Sequence, residues 1–382
     1  MVPTIPENGV FQLKSDSRAR SRAVAARPLE AGSIILVEAP LAVAIHPSYK
    51  GRRCDGCLRE LDSLQKCSGC GVYWYCGVAC QSASWKRHHR RLCGFSKTYA
   101  SSSAYKDATE ETQTDICLLA HLAAEHFYKF NTLEEAQATP NQTAQTFWDL
   151  LVSAQPHAGQ NLIFPLGFTS SGVLSAAAAR FGNNNFVIHD AQLVPYAHGV
   201  FALASRSFNH SCQPNAVAMF EESEKFPQIV IKLVENVSAG EEICISYTDP
   251  ASPDSKRRDV LQHAYGFLCQ CPRCITGTSA APPSLGDEPI LRNQIETIVQ
   301  EQLRNKVPNL EHVRNALAYF SLERNLLDFL PKWTADFSKS SHDGPYDQAL
   351  RDGNAVLGVY ALVYPGSHPL LGKCLNIMFS LL

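Results

Sequence analysis

Residues 54–93 read CDGCLRELDSLQKCSGCGVYWYCGVACQSASWKRHHRRLC. Their soft ligands fall as Cys54-x2-Cys57, Cys67-x2-Cys70, Cys76-x3-Cys80 and His89-x3-Cys93, four close pairs inside forty residues. A tetrahedral zinc ion takes four ligands, and a short pair lets one turn present two donors to one metal. Eight donors in this order suit two zinc ions, and seven of the fourteen cysteines are used here. Closed four-ligand sites leave no open coordination position, so such metals hold a fold rather than perform chemistry. His88 competes with His89 for the eighth place, but only His89 stands four residues before Cys93. That spacing puts both donors on one face of a helix. The basic run Lys86-Arg87-His88-His89-Arg90-Arg91 reads as the solvated side of the same helix.

Beyond this module, a chain of 382 residues suggests two or three packed units. Hydrophobic content of 45% with 18% charged residues describes a globular protein. A formal charge of -2 provides no overall basic field, so direct DNA binding gains no support. The N-terminal residues lack a continuous apolar run and are not expected to be a signal peptide. No stretch approaches the roughly 20 apolar residues of a membrane helix. Fourteen cysteines then read as thiolate ligands rather than disulfides, with a cytoplasmic or nuclear location.

Periodicity predicts short strands around Val24, Ile34, Ile35, Leu36 and Val37, with turns at Pro28 and Gly32. Residues 96–114 are polar and read as a linker or helix lead-in. Helical spacing runs from Asp115 to Val152 and resumes over Ser175–Arg180. Strand-like runs return at Phe186–Ile188, Ala216–Phe220, Ile229–Val234 and Ile243–Tyr247. A second cysteine cluster follows, Cys269-x-Cys271-x2-Cys274. Residues 276–289 read as an interdomain linker, and helices are predicted over 290–304, 309–327 and 343–363, with a short piece after Pro369.

The Cys54–Cys93 pattern resembles a MYND zinc finger, in which the ligand pairs interleave. The resemblance implies one zinc on Cys54, Cys57, Cys76 and Cys80, and another on Cys67, Cys70, His89 and Cys93. It also implies a surface for proline-containing peptides. Arg206-Ser207-Phe208-Asn209-His210-Ser211-Cys212-Gln213-Pro214-Asn215 and Gly240-Glu241-Glu242-Ile243-Cys244-Ile245-Ser246-Tyr247 look like the two signature segments of a SET domain. Tyr265-Gly266-Phe267-Leu268-Cys269-Gln270-Cys271-x2-Cys274 looks like a post-SET cluster. It supplies three ligands, with Cys212 as the fourth for a third structural zinc.

A SET core interrupted by a MYND finger and followed by helices resembles the SET-and-MYND (SMYD) family of protein lysine methyltransferases. The tail Tyr364-Pro365-Gly366-Ser367-His368-Pro369-Leu370-Leu371-Gly372 is similar to that family's last helical motif. The resemblance implies an α+β fold: a β-rich SET core split by the finger and a helical insert, a post-SET zinc cluster, and a TPR-like all-helical C-terminal domain. The implied division is 1–50 and 176–250 for SET, 54–93 for MYND, 94–175 for the insert, 251–275 for post-SET and 285–382 for the C-terminal domain. The implied reaction moves a methyl group from S-adenosylmethionine to a lysine of a histone or non-histone protein. Asn209, His210, Tyr247 and Phe267 would contact the cofactor, Tyr247 and Tyr265 would serve catalysis, and Asn184, Phe186 and Tyr265 would line the lysine channel. A monomer is expected.

One family feature is missing. Such methyltransferases open with a Gly-x-Gly turn that lets backbone approach the cofactor. Here Arg20-Ser21-Arg22 stands in that place, and no glycine lies between Gly9 and Gly32. The alternative to an active enzyme is therefore a degenerate SET scaffold that works as a MYND-mediated interaction module.

Overall fold

The computed structural model describes residues 9–16, 20–127, 184–223, 226–277, 288–304, 310–318 and 323–381. The expected helices beyond 127 and over Ser175–Arg180, and most of the 276–289 linker, lie outside the described residues. The chain folds as two compact units. One is drawn from 1–34, 209–217 and 232–382, the other from 35–208 and 218–231.

In the first unit, Phe11–Asp16 and Arg20–Ala25 form an antiparallel hairpin with Phe11 opposite Ala25 and Lys14 opposite Arg22. Phe11, Ala23, Val24 and Ala25 are buried. The hairpin continues onto the Gly240–Ile243 segment: Ala25 N–H donates to the Glu241 carbonyl and Ile243 N–H to that of Ala23. Asn209–His210 pairs in parallel with Cys244–Ile245. The predicted 243–247 strand is shorter than its apolar run because Tyr247 N–H leaves the ladder for a histidine ring. The Asp254–Tyr265 helix ends at Gly266, whose φ of 76° reverses the chain where a side chain would be strained.

Helices Glu288–Leu303, Leu310–Ala318, Glu323–Asp343, Tyr346–Val363 and Pro369–Ser380 complete this unit. Sequence patterning leaves 328–342 without a helix, and Pro331 in this segment removes an N–H and crowds the preceding turn. The structure runs Glu323–Asp343 through Pro331. Tertiary packing overrides the local penalty: Leu327, Leu330, Trp333 and Phe337 on this helix are buried in the bundle core, and the Trp333 indole donates to Glu288 Oε1 at 2.7 Å.

The second unit contains a sheet ordered Ala42–Ile45, Pro195–Val200, Phe186–His189, all antiparallel. Helix Glu110–Leu122 packs on the Ala42–Ile45 strand, and His121 Nδ1 donates to the Val43 carbonyl at 2.6 Å. The Pro195–Val200 strand was not expected, since its PYAHGV sequence carries little β-branched signal. Gly199 is needed there, as a Cβ would meet Ile188 Cδ1 at 2.9 Å. Of the two readings of the 96–114 segment, linker or helix lead-in, the structure takes the helical one: Arg90–Ser101, Ser103–Lys106 and the start of Glu110–Leu122. Its polar residues act as N-caps, with Ser102 Oγ accepting from Tyr105 N–H and Thr109 Oγ1 from Thr112 N–H.

Candidate active site and metal centres

Three groups of ligand atoms each lie within 4.8 Å of one another: Cys54, Cys57, Cys76 and Cys80; Cys67, Cys70, His89 and Cys93; Cys212, Cys269, Cys271 and Cys274. Zinc–sulfur bonds of about 2.3 Å at tetrahedral angles set ligands about 3.8 Å apart. The observed separations suit that spacing. Cys57 and Cys76 sulfurs are 3.9 Å apart, Cys67 and Cys93 4.0 Å, and Cys212 and Cys274 3.6 Å. Backbone N–H groups of Gly56 and Cys76 donate to Cys54 Sγ at 3.3 Å each, as a thiolate requires.

His89 Nε2 lies 3.3 Å from Cys67 Sγ and 3.7 Å from Cys70 Sγ. Burial, helped by the Lys50 charge, pushes its imidazole down to about 4, keeping the neutral form a metal ligand requires. His88 points elsewhere. Its Nδ1 pairs with Glu125 Oε1 at 2.8 Å, and its ring stacks on His121 at 4.1 Å.

The glycines inside the two Cys-x2-Cys turns mark which pairs share a metal. A Cβ on Gly56 would meet Cys80 Cβ at 2.6 Å, and one on Gly69 would meet Cys93 Sγ at 2.9 Å. Each turn therefore closes directly over the last ligand of its own group, which is the interleaved arrangement. Sequence reading gave these glycines no role.

Around the third cysteine group stand Tyr247, Tyr265 and Phe267. The His210 and Tyr247 ring centroids are 5.4 Å apart, Tyr247 and Tyr265 4.9 Å, and His210 and Phe267 6.1 Å. Tyr265 and Phe267 reach the cluster from the two sides of the Gly266 reversal. His210 joins metal cluster and tyrosine. Its Nδ1 accepts from Tyr247 N–H at 2.9 Å, which leaves Nε2 to donate toward Cys212 Sγ at 3.2 Å. Burial pushes this imidazole down to about 4, consistent with one acceptor and one donor nitrogen. Both ring nitrogens are thus engaged inside the protein. Burial, with Tyr265 adjacent, raises the Tyr247 phenol above its ordinary range, and burial raises that of Tyr265. Both are neutral hydroxyls at physiological pH.

Asn209 Nδ2 donates to Glu242 Oε1 at 2.7 Å and to the Ser21 carbonyl at 3.2 Å. It binds the Arg20–Ala25 strand, where glycines were expected, to the Gly240–Ile243 segment. Asn215 extends the link, donating to the Glu242 carbonyl and accepting from Cys244 N–H. Glu242 lies within the Gly240–Tyr247 segment, whose sequence gives no local signal of this bond.

Asn184 and Phe186 belong to the second unit. Phe186 opens a strand and stands edge-to-face with Phe201 at 5.8 Å. Asn184 is half-buried beside Asn185, whose Nδ2 donates to Asp115 Oδ1 at 2.7 Å. His198 Nδ1 shares that oxygen at 2.7 Å. Nothing local in the sequence links Asp115 to residues seventy and more positions away.

Residues 22–248 match the SET domain family model. The chain belongs to the SET-domain family. Within it, this SET protein stands with the SMYD group. It is 27% identical over 367 residues to mouse histone-lysine N-methyltransferase SMYD3, covering 92% of this chain and 82% of that protein. It is 30% identical over 253 residues to histone-lysine N-methyltransferase ASHR1 of Arabidopsis thaliana, covering 65% of this chain. The match spans 52% of that plant relative, about half its length. Human N-lysine methyltransferase SMYD2 is 25% identical over 256 residues, covering 66% of this chain and 57% of that protein. No helix among the described residues is long and apolar enough to cross a membrane.

Proposed function

We propose that this SET protein is a protein lysine N-methyltransferase that uses S-adenosylmethionine. The observation that carries this is the aromatic group of Tyr247, Tyr265 and Phe267 built on the Cys212–Cys274 cluster. The cofactor supplies a methyl group already activated on a sulfonium. The donor set suits it, since aromatic faces attract a cation and the neutral phenols bring no competing charge.

Tyr247 orients the reacting centre through its hydroxyl, fixed from behind by the His210 bond to its backbone. Tyr265 and Phe267 exclude water and narrow the approach, so that a lysine amine in its neutral form is held in line. Positioning of this kind supplies most of the rate gain when no covalent intermediate is needed. Asn209 holds the strand that faces the cofactor, and the His210 backbone, rather than its ring, is left for contact. Asn184 and Phe186 line the lysine channel. Zinc holds the scaffold at all three cysteine groups.

The remaining assignments belong to the same proposal. The segment division is SET at 1–50 and 176–250, MYND at 54–93, helical insert at 94–175, post-SET at 251–275 and a helical domain at 285–382. The finger takes proline-containing peptides, direct DNA binding plays no part, and the protein works as a monomer in the cytoplasm or nucleus on histone or non-histone lysines.

Calorimetry of zinc-loaded protein with S-adenosylmethionine tests the reading first, and no binding at millimolar cofactor would refute it. Tyr247→Phe should then lower methyl transfer to core histones or a lysine-peptide array about 100-fold. Cofactor affinity should change little.

A further inference from the structure

The loop that follows Tyr247 is held by a side chain 115 residues further along the chain. Tyr364 Oη donates to Asp249 Oδ1, two positions after Tyr247. The same carboxylate oxygen accepts from Ala251 N–H at 2.9 Å, closing a tight turn. Arg273 Nη1 reaches the Pro250 carbonyl at 2.8 Å, and Tyr247 N–H is held by His210. Between those fixed points lie Thr248 and Asp249, and Asp249 is exposed. Within the loop, Ser246 Oγ donates to the Thr248 carbonyl at 2.7 Å and Ser252 N–H to the Asp249 carbonyl at 3.0 Å. Tyr364 adds a restraint on the Asp249 side chain from the helical region.

Tyr364 is suited to that task. It follows the Tyr346–Val363 helix, is only 1% exposed, and its ring stacks on His368 at 4.3 Å and meets Tyr360 edge-on at 5.3 Å. Its N–H is held by the Tyr360 carbonyl and its own carbonyl by Arg314. Burial, and then the Asp249 charge, keep its phenol protonated and able to donate. A hydroxyl this buried needs an acceptor, and Asp249 is the one within reach. A rigid aromatic anchored in the helical bundle thus delivers one donor to the turn that carries the proposed catalytic tyrosine.

We propose that Tyr364 is a positioning residue for Tyr247, acting through its hydrogen bond to Asp249. This rests on Tyr247 being the catalytic tyrosine. Its consequence is that the helical C-terminal region sets turnover rather than only bounding the protein.

The test uses the full-length zinc-loaded chain. Tyr364→Phe keeps the ring and its stacking and deletes only the hydroxyl. It should lower kcat about tenfold while KM for protein substrate, S-adenosylmethionine affinity and zinc content stay within about twofold. Asp249→Ala should lower kcat equally, Asp249→Asn should recover it because the amide oxygen still accepts, and Tyr364→Phe with Asp249→Ala should be no worse than either alone. An unchanged kcat in Tyr364→Phe, with transfer lost in Tyr247→Phe, would overturn this inference and leave the proposed activity standing. Additive losses, or a kcat loss matched by a lowered Tm, would also overturn it. A Tyr247→Phe enzyme of full activity would overturn this inference together with the catalytic role of Tyr247, and would leave the methyl-transfer activity standing.

Discussion

Gly56 and Gly69 show how much a single missing Cβ decides. Each occupies the third position of a Cys-x2-Cys turn, and in each case the added carbon would press on the fourth ligand of that turn's own metal. The first contact is with Cys80 Cβ and the backbone beside it, and the second with Cys93 Sγ, which a bound zinc would hold in place. Gly69→Ala should therefore loosen the Cys67, Cys70, His89, Cys93 site without removing any ligand. Competition with a chromophoric chelator should show zinc lost from that site at least tenfold more readily than in the parent protein. An unchanged chelation curve would mean the turn relaxes freely. The ligand residues themselves were legible because spacing alone reports them. The choice of His89 over His88 was legible from helical geometry, but the reason His88 is unavailable, its pairing with Glu125, lies 37 residues away.

At the scale of elements, the Glu288–Leu303 and Tyr346–Val363 helices approach closely at Gly358. A Cβ there would lie 2.3 Å from Ile295 Cγ2 and 3.1 Å from Val299 Cγ2. Two effects oppose each other in Gly358→Ala. Alanine gains up to about 1 kcal/mol of helix propensity, while overpacking a close contact costs about 1–3 kcal/mol. The Ile295 methyl branches from Cβ and cannot swing aside, so the clash wins. Chemical denaturation followed by circular dichroism should show net destabilisation of the helical region by about 1–2 kcal/mol; a gain in stability would reverse this ranking. Element boundaries were the least legible level. The helix through Pro331 escapes local reading, and the helices within 96–114 are left open by it, because their stability comes from buried Trp333 and from caps at Ser102 and Thr109. The Phe186–His189 and Gln228–Leu233 strands were readable, since each carries a continuous β-branched or aromatic run, and Ala216–Glu221 was readable as an apolar run of five residues.

For the whole molecule, the metal groups divide between the units: two in the finger of one, and one beside the aromatic site of the other. Purified protein should contain about three zinc ions per chain by atomic absorption. Cys274→Ser and Cys93→Ser should each reduce this to about two, but with different consequences. Loss of the Cys212 group removes the support beneath His210, Tyr265 and Phe267, so S-adenosylmethionine binding should fall sharply in Cys274→Ser. Cofactor affinity in Cys93→Ser should stay within a few-fold. Equal losses in both variants would show that the finger is required for the cofactor site.

The sequence by itself determined the three Cys/His groups, the SET segment and the helical tail, because these rest on residue types at short fixed spacings that one turn or one helix face can satisfy. Tertiary structure alone decided which atoms those residues use. It engaged both nitrogens of the His210 ring, bound Asn209 to Glu242 and Ser21 where a glycine turn was expected, and brought Tyr364 to Asp249. Apart from His210 Nε2 with the nearby Cys212, these pairings join segments 33 to 188 residues apart. Local periodicity carries no record of them, because they form only when burial leaves each polar group one partner within reach.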